Sequence, residues 1–493
     1  MIRPALPLCV AAALTTALLA RASLADDAGE AADYLARARS FADCMIRHGR
    51  DRYGPVHSPL FANALTREDP PRLTPYPLFA PTPVNKKTGK PFPQKETGLQ
   101  VFGLFDFNKV LNYPKGLGSE GPHKVTLYGC DPYEDRELYE FLFDLSRLTG
   151  EPRYAAEAKK ALEWWFRHTQ GPAGLYPWGE HLGWDFENEC PTYFAGPSKH
   201  LYAACYHEIK DTVPFLDILA GLPAEAPGKP TPLERYALGI WNAHFWDKDK
   251  AWYCRHGDYR GLDDRTGSLS GFPAHLGAYL RVWTAAWLAS TDDDFRRRME
   301  TILHKVLDMA VGRSEKYGFY PFTFEPDAGK GIKEKSASGQ SMRLAGHAAE
   351  LADRLAKPLP EAAAKLRRLA ELHFKKPWSQ IAASSQPDQP APADSPPDLS
   401  KEKDPARHAR AILLYVEAYR RHGRRQYLDA ARSCARRAGA MFLDGASPLP
   451  RALPAGTALT TATGEFPDFY FRGAALMHAL ARLGEAMDHS SRK

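Results

Sequence analysis

Beyond its first twenty residues the chain has no long apolar run, few cysteines and no dense block of one charge. A membrane-crossing helix needs about 18 uninterrupted apolar residues. Nothing after Ala20 approaches that, so no membrane span is expected in the body of the chain. None of the seven cysteines stands in a Cys-x-x-Cys pair, which argues against a cysteine-built zinc site. There is no lysine- and arginine-dense run of the kind nucleic-acid binders carry, so no nucleic-acid partner is expected. The formal charge of +6 is mild; it permits an anionic partner without requiring one.

The one apolar run sits at the start. Arg3 gives a positive beginning, Ala5 to Ala20 is apolar, and Ser23-Leu24-Ala25 is a small-residue cleavage site. Together they read as a secretory signal peptide over residues 1–25. The working chain is then expected from Asp26 onward, secreted or periplasmic. Loss of Arg3 and Arg21 lowers the formal charge by two. Cys44, Cys130, Cys190, Cys205, Cys254 and Cys434 would remain, an even number that allows disulfides in a chain too long to need them for folding.

The body reads as repeated helical hairpins. Leu138 to Leu148 carries apolar residues at helical spacing, a polar turn follows at 149–154, and Ala155 to His168 resumes the helix. The unit recurs as Leu276 to Ala289, a turn at 290–295 and Arg298 to Val311. It recurs again as Ala409 to Tyr419, a turn at 422–427 and Leu428 to Met441. Helices joined by short loops lie antiparallel, and many such pairs stack into a solenoid or a ring. The expected class is all-α dominated, an α/α toroid forming one catalytic domain over 26–493. Arg50 to Gly129, rich in proline, glycine and aromatics, is expected as long loops or short strands near the N-terminus. A proline-rich exposed insertion is expected at about 384–405.

Three short segments concentrate the chemistry: Trp178-Gly179-Glu180-His181, His207-Glu208-Ile209-Lys210 and Cys254-Arg255-His256-Gly257. Imidazoles with a carboxylate suit a divalent transition-metal ion, manganese, iron, cobalt, nickel or zinc, better than calcium, which prefers oxygen ligands alone. Lys210 could neutralise a substrate carboxylate. Each segment also has a plain alternative: a loop histidine, a surface Glu–Lys pair at a helix end, and a solvent-facing Arg-His. Trp184, Tyr193, Trp241, Trp246, Trp252 and Tyr253 crowd the region, and any one of them is more readily core than sugar platform. Asp131 and Asp135 read as helix caps.

The order of these segments resembles polysaccharide lyase family 2, the pectate lyases with an α/α-barrel fold. That family carries a metal-binding His, then a Glu, then an Arg-His pair, matched here by His181, Glu208 and Arg255-His256. The resemblance implies that His181, Glu208 and His256 bind the metal, manganese first with nickel, cobalt or zinc as alternatives. It implies that Arg255 is the catalytic base and that an acidic polysaccharide or oligosaccharide is cleaved by β-elimination. Trp178, Lys210 and His275 are candidate substrate-binding residues, and His244 or His275 is an alternative base. Two other functions remain open at this point. One is a glycoside hydrolase using Glu180, Asp185 or Glu208; the other is a non-catalytic carbohydrate-binding envelope protein.

Overall fold

The computed structural model describes residues 28–74, 129–133, 135–171, 173–176, 182–186, 189–193, 196–197, 212–253, 272–320, 339–383, 397–457, 460–461, 464–465, 468–471 and 473–491. The expected class, all-α dominated and built of helical hairpins as an α/α toroid is, is what these residues show. The signal-peptide reading and most of the 384–405 insertion lie outside them; residues 397–404 are mostly exposed. Packing divides the chain into two compact units. One is drawn from Met1–Tyr76, Tyr128–Lys160 and Pro390–Lys493, the other from Pro77–Leu127 and Ala161–Gln389.

The first unit contains α1 (28–48), α2 (Arg136–Thr149), the start of α3 (Arg153–Thr169), and, near the C-terminus, α11 (Pro405–His422), α12 (Arg425–Phe442) and α13 (Ala474–Ser491). α11 and α12 are the hairpin read from the sequence. Gly423, left-handed at φ 65°, closes α11 by donating its N–H to the Tyr419 carbonyl. Phe41 of α1 anchors the core, lying 5.6 Å from both Phe141 and Tyr470. The short strands of this unit are β1 (Ala64–Thr66), β2 (Gly129–Cys130), β8 (Thr460–Thr461), β9 (Gly464–Glu465) and β10 (Phe469–Phe471); β1 pairs antiparallel with β10, Leu65 opposite Tyr470. Arg67 sits at the end of that pair, its side chain only 4 % exposed. It donates to the Leu449 carbonyl (2.7 Å) and to Asp444 (2.6 Å), and it also pairs with Asp468.

The second unit runs through α4 (Leu216–Ala220), α5 (Pro232–Ala243), α6 (Pro273–Ala289), α7 (Asp293–Tyr317), α8 (Gln340–Leu355), α9 (Pro360–Phe374) and α10 (Trp378–Ala383). α6 packs against α4, α5, α7 and α8. The expected turn at 290–295 is shorter than the sequence implied. Asp292 accepts from the N–H groups of Asp294 and Phe295, so the acidic run is an N-cap and first turn, and α7 begins at Asp293. A second correction concerns Asp135. It occupies the N-cap position of α2, but its side chain makes no cap bond. Its Oδ2 accepts from the Tyr470 hydroxyl at 3.4 Å, and Asp131 accepts from the Tyr133 N–H at 3.0 Å. Cys44 and Cys434 are buried thiols outside any disulfide, and burial pushes the Cys44 thiol up to about 11.

Carboxylates shared between arginines tie the helices of the first unit. Glu30 of α1 takes Arg432 (2.6 Å) and Arg436 (2.9 Å) of α12. Asp144 of α2 takes His478 (2.9 Å) and Arg482 (3.2 Å) of α13. Burial would raise both carboxyls. For Glu30 the hydrogen bonds from Arg436, Tyr34 and Arg432 outweigh it; for Asp144 those from His478 and Arg147 do, and each is held down at about 2. A carboxyl depressed in the folded state stabilises the fold fully above its unfolded value and loses that contribution as pH falls toward the folded value. The urea midpoint should therefore hold near neutrality and decline as pH drops from about 4.5 to about 2. Glu30→Gln should lower stability at pH 7 by roughly 1.5–3 kcal/mol and flatten part of the decline. A midpoint that stays level between pH 6 and 2.5 would show that these pairs contribute nothing.

Candidate functional site

The expected site residues His181, Glu208, Arg255 and His256, with Trp178 and Lys210, lie outside the described residues. What the structure describes is the chain that leads into and out of each motif, all of it in the second unit.

The approach to the first motif is pressed onto α5. Gln170 donates to the carbonyls of Gly174 (2.9 Å) and Pro232 (2.8 Å). Gly174 has φ +78°, and a Cβ there would sit 2.4 Å from the Arg235 carbonyl oxygen; a Cβ on Gly239 would sit 2.4 Å from that of Ala173. Only glycine at both positions lets loop and helix backbone touch in this way. Tyr176, buried, meets Phe166 edge-on at 5.1 Å and Tyr236 at 5.0 Å. Beyond His181 the chain forms an antiparallel ladder, β3 (Leu182–Asp185) with β4 (Cys190–Tyr193), which also pairs with β5 (Gly196–Pro197). Trp184 meets Trp164 of α3 edge-on at 4.9 Å and donates its indole N–H to Glu189 at 3.1 Å.

The exit from the second motif is a 3-10 turn, Val213–Phe215, running into α4. Phe215 lies 6.4 Å from Phe166, and both short elements pack on α6. The approach to the third motif is a two-stranded ladder, β6 (Phe245–Asp247) with β7 (Trp252–Tyr253), bulged between Phe245 and Asp247. Tyr253 is wholly buried between Phe245 (5.4 Å) and Tyr279 (5.3 Å), and its hydroxyl donates to the Phe272 carbonyl at 3.0 Å. Aromatic contacts at Phe166, and at Tyr279 and Trp283 of α6, thus connect described residues beside all three motifs.

Arg313 was not foreseen as part of this frame. It is 8 % exposed, stands 3.4 Å over the Trp252 ring, and donates to the carbonyls of Lys250 and Ala251 and to the Tyr320 hydroxyl. A buried guanidinium needs such acceptors, and here they form the turn that delivers β7 to the third motif. The signal was present in the sequence. Met299, Leu303, Val306 and Ala310 form the buried stripe of α7, and Arg313 continues it at helical spacing.

Of the other expected participants, His244 is fully buried, with Nδ1 2.9 Å from the Tyr279 hydroxyl. A base that must meet a polymer cannot act from there, which corrects the reading of His244 as an alternative base. His275, in the first turn of α6, is 6 % exposed with its ring 5.4 Å from Phe272, leaving a narrow edge for any sugar contact. Trp184, Trp241 and Tyr253 are buried and serve as core. Among the described residues no three His, Cys, Asp or Glu side chains stand together as a metal site.

Residues 134–270, which contain all three motifs, match the family model described as periplasmic pectate lyase. The resemblance to polysaccharide lyase family 2 is therefore met over that stretch. Among solved structures, the chain is similar to a sugar epimerase from a ruminal bacterium, with TM-score 0.35 and 14 % identity over 71 % of this chain and 87 % of that one. It is also similar to cellobiose 2-epimerase from Bacillus thermoamylovorans B4167, with TM-score 0.33 and 9 % identity over 72 % and 88 %. Neither likeness bears on the reaction. No helix among the described residues is long and apolar enough to cross a membrane.

Two measurements probe the frame. Gly239→Ala should cost about 1–3 kcal/mol in urea unfolding, because backbone must move. Gly346→Ala, in open space on α8, should gain about 0.5–1 kcal/mol; equal effects would mean that the close approach at Gly239 is not a constraint. Arg313→Lys should destabilise nearly as much as Arg313→Ala, roughly 1.5–3 kcal/mol, because an ammonium lacks the planar fork and ring stacking. Full rescue by lysine would reduce Arg313 to a point charge.

Proposed function

We propose that the protein is a metal-dependent polysaccharide lyase that cleaves a uronate polymer, pectate or polygalacturonate, by β-elimination. One observation carries this reading. The stretch similar to periplasmic pectate lyases holds His181, Glu208, Arg255 and His256 in the order that polysaccharide lyase family 2 uses. The family description also supports a periplasmic or secreted location.

His181, Glu208 and His256 are the residues to hold the metal. Two imidazoles and a carboxylate fit a first-row divalent ion, manganese first, then nickel, cobalt or zinc. When bound, such an ion supplies Lewis-acid stabilisation of the substrate carboxylate as negative charge builds there. Arg255 takes the proton from the ring carbon that bears the carboxylate. The electron pair of that C–H bond becomes the new C4–C5 double bond, and the C4–O bond breaks. The glycosidic oxygen leaves with the neighbouring sugar and takes up, directly or through water, the proton that Arg255 removed, so it ends as a hydroxyl and Arg255 is reset. Arginine is ordinarily protonated throughout, so this role requires surrounding positive charge and exclusion of water to depress it. Lys210 pairs with substrate carboxylate, Trp178 offers a flat apolar face, and the exposed edge of His275 completes the sugar contacts.

The test is absorbance near 235 nm, roughly where unsaturated uronates absorb, with polygalacturonate after EDTA treatment and after manganese is restored. Absorbance should rise only with metal, and Arg255→Ala should slow it by about 10²–10⁴-fold, the usual worth of a general base. Reducing ends without absorbance would replace the lyase with a hydrolase. No product from any uronate polymer would leave a carbohydrate-binding protein.

A further inference from the structure

The first unit contains a pocket of about 540 Å³, within the range of small-molecule sites. One face of α1 builds much of it. Arg39, Asp43 and Arg47 form one row at i, i+4 spacing, and Cys44 and His48 belong to the adjacent row. Asp69 closes the pocket from the loop after β1.

Several of these charges are already committed. Asp43 pairs with Arg153 at 2.7 Å, and Arg39 lies 3.4 Å from Glu151. Glu68, also in the wall, pairs with Arg72. Among the described residues, Arg47 and Asp69 have no ion-pair partner, and the buried Nδ1 of His48 has no hydrogen-bond partner. The pocket therefore presents the Arg47 guanidinium, the Asp69 carboxylate and one His48 imidazole nitrogen, with the hydroxyls of Ser40 and Ser447 also in its wall. No phenyl, phenol or indole ring lines it, and its apolar residues are small alanines and prolines apart from Cys44.

We infer that this pocket is a second carbohydrate site, which holds one acidic sugar residue or a chain end without cleaving it. With Asp43, Arg39 and Glu68 paired, Asp69 disfavours a ligand of high negative charge and Arg47 disfavours a simple cation. An apolar ligand finds little surface. A monoanion rich in hydroxyls satisfies Arg47, Asp69 and His48 together. Its carboxylate takes the Arg47 fork in a bidentate pair, a hydroxyl donates to Asp69, and another meets His48. Burial, then Arg52 and Arg47, lower the His48 imidazole from its usual value, so near pH 7 it is neutral and has one nitrogen free to accept. The choice of a uronate as the acidic sugar rests on the lyase reading; the pocket and its free charges do not.

The experiment titrates the full-length protein, in EDTA, with galacturonate, glucuronate and mannuronate disaccharides, a neutral galactose disaccharide and acetate, by calorimetry. At least one uronate disaccharide should bind, while acetate and the neutral sugar should not. Arg47→Ala should weaken that binding about tenfold, the loss of one charge-assisted contact, and Asp69→Asn should weaken it as well. Arg47 is exposed, so its variant should keep the wild-type melting temperature. Uronate affinity unchanged in both variants, or no uronate binding at all, overturns the inference. A flat 235 nm trace from wild type overturns the lyase reading instead, and leaves the Arg47 titration to decide this site alone.

Discussion

The second unit depends on the burial of α6 on nearly all sides. A surface helix keeps a polar face for water. Here the runs Leu276 to Leu280 and Val282 to Trp287 are buried throughout, and α4, α5, α7 and α8 share the surface between them. Tyr279 and Trp283 then serve as fixed walls for Phe245, and Tyr279 for Tyr253 as well. The ladder before Arg255-His256 and the turn after Lys210 are both held to this one helix. A rigid scaffold beneath loops is where functional residues are commonly carried. Gly277 shows how tight the arrangement is, since a Cβ there would meet the His347 ring at 2.5 Å. That ring is driven down to about 4 by burial and by Arg281 and Arg343, so it packs as a neutral group.

The first unit is organised differently. Its helices are pinned at their polar edges by carboxylates that each serve several cations: Glu30, Asp144, Asp444, and Glu485 with Arg147 and Arg420. The cations are almost all arginine, whose planar fork can address two oxygens at once and so fixes direction as well as distance. Isolated surface pairs contribute little, but shared ones with several partners set the alignment of neighbouring helices.

Much of the fold was legible because it follows one rule, apolar residues at helical spacing interrupted by short polar turns. The three hairpins were found that way, although the helices run a few residues beyond the periodic stretches, at Asp292 because its side chain caps α7 and elsewhere, as at the Tyr317 end of α7, without such a cap. Helices such as α5 and α9 were passed over, although Thr231–Glu234 is a complete capping box. Tertiary contacts that carry no periodic signal were not legible. The backbone approach at Gly174 and Gly239 looks like two ordinary glycines in sequence, and Arg313 looks like a solvated charge until the stripe around it is traced. The motif order of His181, Glu208 and Arg255-His256 was legible as a family pattern, and the matched stretch covers all of it. Whether a given tryptophan is core or platform depends on partners far away in sequence, and Trp184 and Trp241 turned out to be core.

The pairing of β1 with β10 joins residues 64–66 to residues 469–471, and Glu30 of α1 reaches Arg432 and Arg436. A nascent chain leaves the ribosome in order, and domains generally fold as their residues become available. α1 packs against residues 141–154 and also against residues from the last quarter of the chain, so a segment made early completes its packing only when the end of the chain arrives. Until then Phe41 has Phe141 on one side but not yet Tyr470. That interval is a natural opening for a chaperone, and loss of even the final helix would strip α1 of the neighbour that approaches Ala31 and Tyr34 at Gly484.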